Sequence, residues 1–127
     1  MQNTQTYETT RQIVEQLMVA FSSRDAKKMT ALMSEDVVFE NTGPAPDGTR
    51  FVGQRDVQAF WEQFFSDNPQ ASIEAEDVIV TDQAAAIRHV YSWSGTSGSD
   101  SGGYVRGATI LQVRDGKIAG MYAYVKG

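Results

Sequence analysis

Residues 53–66 read Gly-Gln-Arg-Asp-Val-Gln-Ala-Phe-Trp-Glu-Gln-Phe-Phe-Ser, and in them Val57, Phe60, Trp61, Phe64 and Phe65 stand at i, i+3, i+4, i+7 and i+8. That spacing gathers five bulky apolar side chains on one stripe and predicts a helix over Gln54 to Ser66, the most strongly amphipathic element of the chain. Beyond it Asn68-Pro69 ends the pattern, and strand-like runs take over: Ala71 to Thr81, Ala84 to Ser94, Tyr104 to Arg114 and Lys117 to Val125. Asp82-Gln83 and Asp115-Gly116 break them, so the four runs predict an antiparallel meander. The remaining break, Gly95 to Gly103, holds no apolar residue and is expected to be a mobile hairpin loop.

Upstream, Asp36 to Asn41 is β-branched and aromatic and predicts one strand, ended by the turn Thr42-Gly43-Pro44-Ala45-Pro46-Asp47-Gly48. Before it, Ile13, Val14, Leu17, Met18 and Phe21 give Arg11 to Ser22 a buried helical stripe, with Thr9 or Thr10 as its cap. Asp25 is a good N-cap for a short second helix, Ala26 to Met33, while the polar, aperiodic Met1 to Glu8 are expected to form a flexible lead-in. Helix, helix, strand, helix and four strands is an α+β order. It calls for three N-terminal helices covering one face of a curved antiparallel or mixed sheet, in the shape of a cone.

With 127 residues, 41% hydrophobic and 21% charged, the chain reads as one globular domain spanning residues 1–127. Eleven basic against 16 acidic residues give a net charge of −5 with no basic block, so the electrostatic term that drives nucleic-acid binding has no source. Without cysteine there is neither disulfide nor thiolate chemistry, and a single histidine excludes a three-histidine zinc site. Glu35-Asp36 and Glu74, Glu76, Asp77 are scattered acids that read as solvated helix ends and strand edges rather than a metal site. No apolar segment suits a signal peptide or a membrane span, so a cytoplasmic location without membrane contact is the expectation. Phosphate loops, zinc-peptidase motifs and hydrolase nucleophile elbows are absent, and Asp100-Ser101-Gly102-Gly103 matches a serine-protease string by chance.

The order of elements, with Phe21-Ser22-Ser23-Arg24-Asp25, Asp36-Val37-Val38-Phe39-Glu40, Gly53-Gln54-Arg55-Asp56-Val57 and Asp115-Gly116-Lys117-Ile118-Ala119-Gly120, resembles the nuclear transport factor 2-like (cystatin-like) superfamily. Within it the pattern is most similar to the SnoaL-like branch, from about Tyr7 to Val125. The resemblance implies a conical α+β barrel with an apolar pocket, a homodimer, and chemistry that needs no cofactor. The superfamily includes ketosteroid isomerases, limonene-epoxide hydrolases, polyketide cyclases and non-catalytic binding modules, so fold alone does not name an activity. Carried over residue by residue, the isomerase base falls on Asn41, its helix-one tyrosine on Leu17, and its proton-donating aspartate on or near Thr109. The strand-five aspartate of the epoxide hydrolases falls on Ala123, and their Arg-x-Asp pair on His89-x-Tyr91. The last strand offers no carboxylate where a SnoaL-type cyclase places its base.

Strand alternation places Ile87, His89, Tyr91 and Trp93 on one face, with Phe39 and Asn41, Thr109 and Leu111, and Met121 and Ala123 similarly paired. The resemblance turns these sets into the cone, where Leu17, Met33, Trp61 and either Phe64 or Phe65 join the expected lining. Phe60, Met18 and Leu111 are expected to serve chiefly as core. His89 alone titrates near neutrality, which makes it the candidate general base, with Asn41 or Tyr91 as donor to a developing oxyanion. The expected ligand is a small hydrophobic organic molecule, acted on by isomerase- or cyclase-type acid–base chemistry. The alternative is a non-catalytic binding or dimerisation module. Arg88 and Arg106 read as outer-face residues, beside Val90, Tyr122 and Tyr124 on a surface suited to a second copy of the chain.

Overall fold

The computed structural model describes residues 6–92 and 103–126; Trp93, the Gly95 to Gly102 stretch and the first five residues of the lead-in lie outside them. Helix α1 runs Tyr7–Ser22, one turn earlier than periodicity suggests. The Thr6 hydroxyl accepts from the Thr9 amide at 3.3 Å, and Arg11 pairs with both Glu8 and Glu15, so capping and ion pairs hold a first turn that buries only Thr10. Helix α2, Ala26–Ala31, is capped by Asp25, whose carboxylate accepts from the Lys28 amide at 3.0 Å.

Met33, assigned from sequence to α2, opens strand β1, Met33–Glu40. The helix ends early because other elements take its last carbonyls. Gln54 donates to Thr30 and Met33 carbonyls at 3.2 and 2.8 Å, and the Ile118 amide donates to Leu32 at 2.8 Å. Strand β2, Arg50–Val52, is too short to show a period and was not legible; it pairs antiparallel with Val38, Phe39 and Glu40. In the intervening turn, Asn41 Oδ1 accepts from the Gly43 and Thr49 amides at 3.2 and 2.8 Å. Gly48 closes it at φ +74°, where a Cβ would fall 1.9 Å from the Asn41 carbonyl oxygen, so only glycine fits.

Helix α3 spans Gln54–Asp67 and buries Val57, Trp61 and Phe65. The meander follows as β3 (Ser72–Val80), β4 (Ala84–Ser92), β5 (Tyr104–Arg114) and β6 (Lys117–Val125). The β5–β6 hairpin turns on Asp115 and Gly116, at φ 53° and 74°, the left-handed pair that a two-residue hairpin needs. The sheet order is β2-β1-β6-β5-β4-β3, with β1 parallel to β6 and every other neighbour antiparallel. The sheet is curved but open, its edges being β2 and β3, so α1 and α3 rather than strand pairing complete the cone. Rows that cross it include Ile87–Thr109–Ala123 and His89–Gly107–Val125. None of the described helices is long and apolar enough to cross a membrane.

Candidate functional site

Between the helices and the inner sheet face lies a cavity of about 460 Å³. Its floor consists of inward side chains from one end of the sheet: Phe39 from β1 and Asn41 just past it, Ile87, His89 and Tyr91 from β4, Val105 and Thr109 from β5, Met121 and Ala123 from β6. Leu17, Met18 and Phe21 of α1, Met29 of α2, and Phe60, Trp61 and Phe64 of α3 form the opposite wall. The aromatic groups of that wall lock one another: Phe21 meets Trp61 edge-on at 5.6 Å and Tyr91 at 6.1 Å, and Phe64 lies 5.7 Å from Tyr91.

Ten of the expected residues therefore come together: His89, Asn41, Tyr91, Leu17, Phe39, Trp61, Ile87, Thr109, Met121 and Ala123. Three expected lining residues do not reach the cavity. Met33 and Leu111 are sealed in the core at 1% and 0% exposure, Leu111 in keeping with its reading as chiefly core, and Phe65 packs against Phe21 and Trp61 at 5.2 and 5.7 Å. Trp93 lies outside the described residues. Strand parity identifies the inner face but not how far along it the space extends. Toward the other end of the strands, Ala85, Leu111, Val113 and Ile118 close the core. Met18 and Phe60, read as core, line the cavity instead; Phe64, the alternative to Phe65, lines it, and Phe21, Met29, Ile73 and Val105 were missed. Helical periodicity marked most of them as inward-facing, yet nothing in it separates a residue facing space from one facing another side chain.

His89 is 6% exposed, and its Nε2 lies 2.9 Å from the Thr109 hydroxyl. Thr109 is two positions diagonal to His89's ladder partner Gly107, which brings the two side chains together on the inner face. The Nδ1 of the ring is buried with no hydrogen-bond partner among the described residues, as is Nε1 of Trp61. Burial drives the His89 pKa below its ordinary value, opposed by its own backbone carbonyl and by Glu76, so the imidazole is uncharged at neutral pH. Burial also raises the Tyr91 pKa and keeps that phenol protonated. No aspartate, glutamate, lysine or arginine lines the cavity among the described residues.

Asn41 is on the wall, but its amide oxygen already holds the turn that follows. Thr42, Gly43, Tyr124 and Val125, exposed or nearly so, complete the same end and mark the mouth. Outside the cavity Arg106 pairs with Glu76, and Asp36 takes Arg114 at 2.9 Å and the Ser34 hydroxyl at 2.9 Å. No cluster of potential metal ligands occurs among the described residues.

A search of curated proteins returns no match. Residues 14–121 match the family model of the SnoaL-like domain. Among solved structures, a nuclear transport factor 2-like protein of unknown function from Mesorhizobium loti is 33% identical, with a TM-score of 0.81 over 95% of this chain and 93% of that one. A candidate ketosteroid isomerase from Kribbella flavida is 18% identical, with a TM-score of 0.78 over 95% and 80% of the two chains. An epoxide hydrolase of Mycobacterium tuberculosis is also 18% identical, with a TM-score of 0.75 over 97% and 86%. At 18% identity these two likenesses speak to fold alone. Matched over 108 of its 127 residues, the chain belongs to the SnoaL-like domain family of the nuclear transport factor 2-like superfamily.

Proposed function

We propose that the cavity binds a small, uncharged, hydrophobic organic molecule and that His89 carries out acid–base chemistry on it, removing a proton next to a carbonyl without a cofactor. The observation behind this reading is an uncharged imidazole set in the wall of a largely apolar space. A base that stays unprotonated at neutral pH is ready to accept a proton, and an apolar wall strengthens every polar contact made there. Tyr91, two residues along the same strand and about 7 Å away, supplies a phenol that remains protonated and can donate to oxygen. The isomerase and hydrolase named among the structural neighbours support a fold that accepts such chemistry.

A second reading is a non-catalytic binding module. It is favoured by the lack of any carboxylate in the described lining and by the commitment of the Asn41 amide oxygen to its own turn. Turnover separates the two: steroids, aromatic polyketides, terpenoid epoxides and small enones are offered to wild type and His89→Gln. Conversion by the wild type alone supports catalysis, and binding without conversion by either protein supports the module. We further propose that the outer sheet face, where Tyr104, Ile110 and Tyr124 are exposed beside Arg88, Arg106 and Glu76, pairs with a second copy of the chain.

A further inference from the structure

Resting on the reading of the cavity as the substrate site, we infer that the ligand carries a second hydrogen-bond acceptor, apart from the reacting carbonyl, and that the Trp61 indole N–H takes it. Trp61 comes from the stripe of α3 that also supplies Val57, Phe60, Phe64 and Phe65, and it alone of the five has a polar atom in its side chain. A buried tryptophan N–H ordinarily finds an acceptor. This one does not: the residue is 8% exposed and lines the cavity, and its Nε1 is buried without a partner among the described residues. The rings of Phe21, Phe39, Phe60, Phe64 and Phe65 pack around it with centroids 5.0 to 5.7 Å away, and none of them supplies an oxygen. A phenyl face is a weaker acceptor than a carbonyl or ether oxygen, so the N–H stays open to a better partner.

An indole nitrogen only donates, so chemistry alone fixes the direction of the bond. Besides Trp61, the helical wall consists of Leu17, Met18, Phe21, Met29, Phe60 and Phe64, whose side chains hold no N–H or O–H. His89, Tyr91 and Thr109 belong to the sheet floor across the space. A ligand whose reacting carbonyl lies at that floor therefore leaves Trp61 to a different atom. A hydrocarbon body fills the volume but leaves the indole donor unsatisfied, and a group that only donates, such as an ammonium, meets it with like polarity. The class selected is an apolar body with two separated acceptors: a diketone, a keto ether or a keto ester. Holding one acceptor at α3 directs the other end of such a molecule toward His89.

The probes are 1,4-diacetylbenzene, with an acceptor at each end, and 1,4-diisopropenylbenzene, in which C=CH2 replaces each C=O at nearly the same shape. The chain has two tryptophans, so ¹⁵N-labelled protein gives two indole N–H signals, and the one that persists in Trp93→Phe belongs to Trp61. Titration of the wild type with the diketone should move the Trp61 N–H proton downfield, as a new hydrogen bond to oxygen does, and the diene should not. The preference for diketone over diene should fall roughly tenfold in Trp61→Phe, as expected for loss of one buried hydrogen bond; the wild-type titration decides alone if that variant does not fold. These results support the inference whether or not His89→Gln abolishes turnover. A Trp61 signal that responds alike to both probes, or an unchanged preference in Trp61→Phe, overturns the inference and leaves the catalytic reading in place. Failure of both probes to bind wild type up to their solubility limits overturns the site reading and this inference with it.

Discussion

Thr109→Val keeps the shape of the side chain and deletes the hydroxyl that meets His89 Nε2 at 2.9 Å. Both residues lie below 8% exposure, so water does not simply replace the lost partner. A buried polar atom left unsatisfied costs about 1–3 kcal/mol, and the swapped-in methyl recovers part of that through apolar burial. The net expectation is a loss of about 1–2 kcal/mol, which in a domain of this length lowers the melting midpoint by roughly 4 °C per kcal/mol. The companion change His89→Leu should destabilise the wild type by more than it destabilises Thr109→Val, since in the second background no bond remains to break. A coupling of about 1 kcal/mol is expected from such a contact pair. Urea unfolding of the four proteins at pH 7.5, compared at a common m-value, measures it. Additivity within about 0.3 kcal/mol would refute the claim that this hydrogen bond stabilises the site.

Three other expectations follow from the same structure. Because burial depresses the folded His89 pKa below 6.5, the unfolded chain takes up a proton that the folded chain refuses; stability should therefore fall as pH drops from 6.5 toward the folded value, stay flat with respect to this group above 6.5, and lose that slope in His89→Gln, as followed by urea midpoints across pH. Gly48→Ala places a methyl against the Asn41 carbonyl at a positive φ and should cost about 2 kcal/mol or more by thermal unfolding, with unchanged stability showing that the turn relaxes freely. Light scattering at micromolar concentration should give twice the 14.0 kDa mass of one chain, and Tyr124→Arg should shift it toward the single-chain value; a 14.0 kDa wild-type particle contradicts pairing of the outer face.

The elements that sequence made legible are those with a long period or an unmistakable break. Helix α3, the Asp82-Gln83 and Asp115-Gly116 turns and the four late strands fall within two residues of their expected bounds, because burial on one side writes itself into alternation or into a 3.6-residue stripe. Strand β2 was hidden because three residues carry no period. Met33 was misplaced because it is apolar at a helical position, while the contacts that end α2 come from Gln54 and Ile118, far along the chain. The site shows the same division. His89 was visible as the one group able to titrate near neutrality, but its bond to Thr109 depends on strand register, and the boundary between Thr109 at the cavity and Leu111 in the core depends on how far down the cone the side chains close.

The most direct test of the catalytic reading is a thermal-shift screen of wild type and His89→Gln against steroids, aromatic polyketides, terpenoid epoxides and small enones, with mass analysis of every well that shifts. A ligand at one hundred times its Kd stabilises the folded state by about 2.7 kcal/mol, well above the scatter of such assays. The account predicts that at least one carbonyl-bearing compound shifts both proteins and is converted only by the wild type. Conversion that survives His89→Gln, or binding without conversion by either protein, would contradict it.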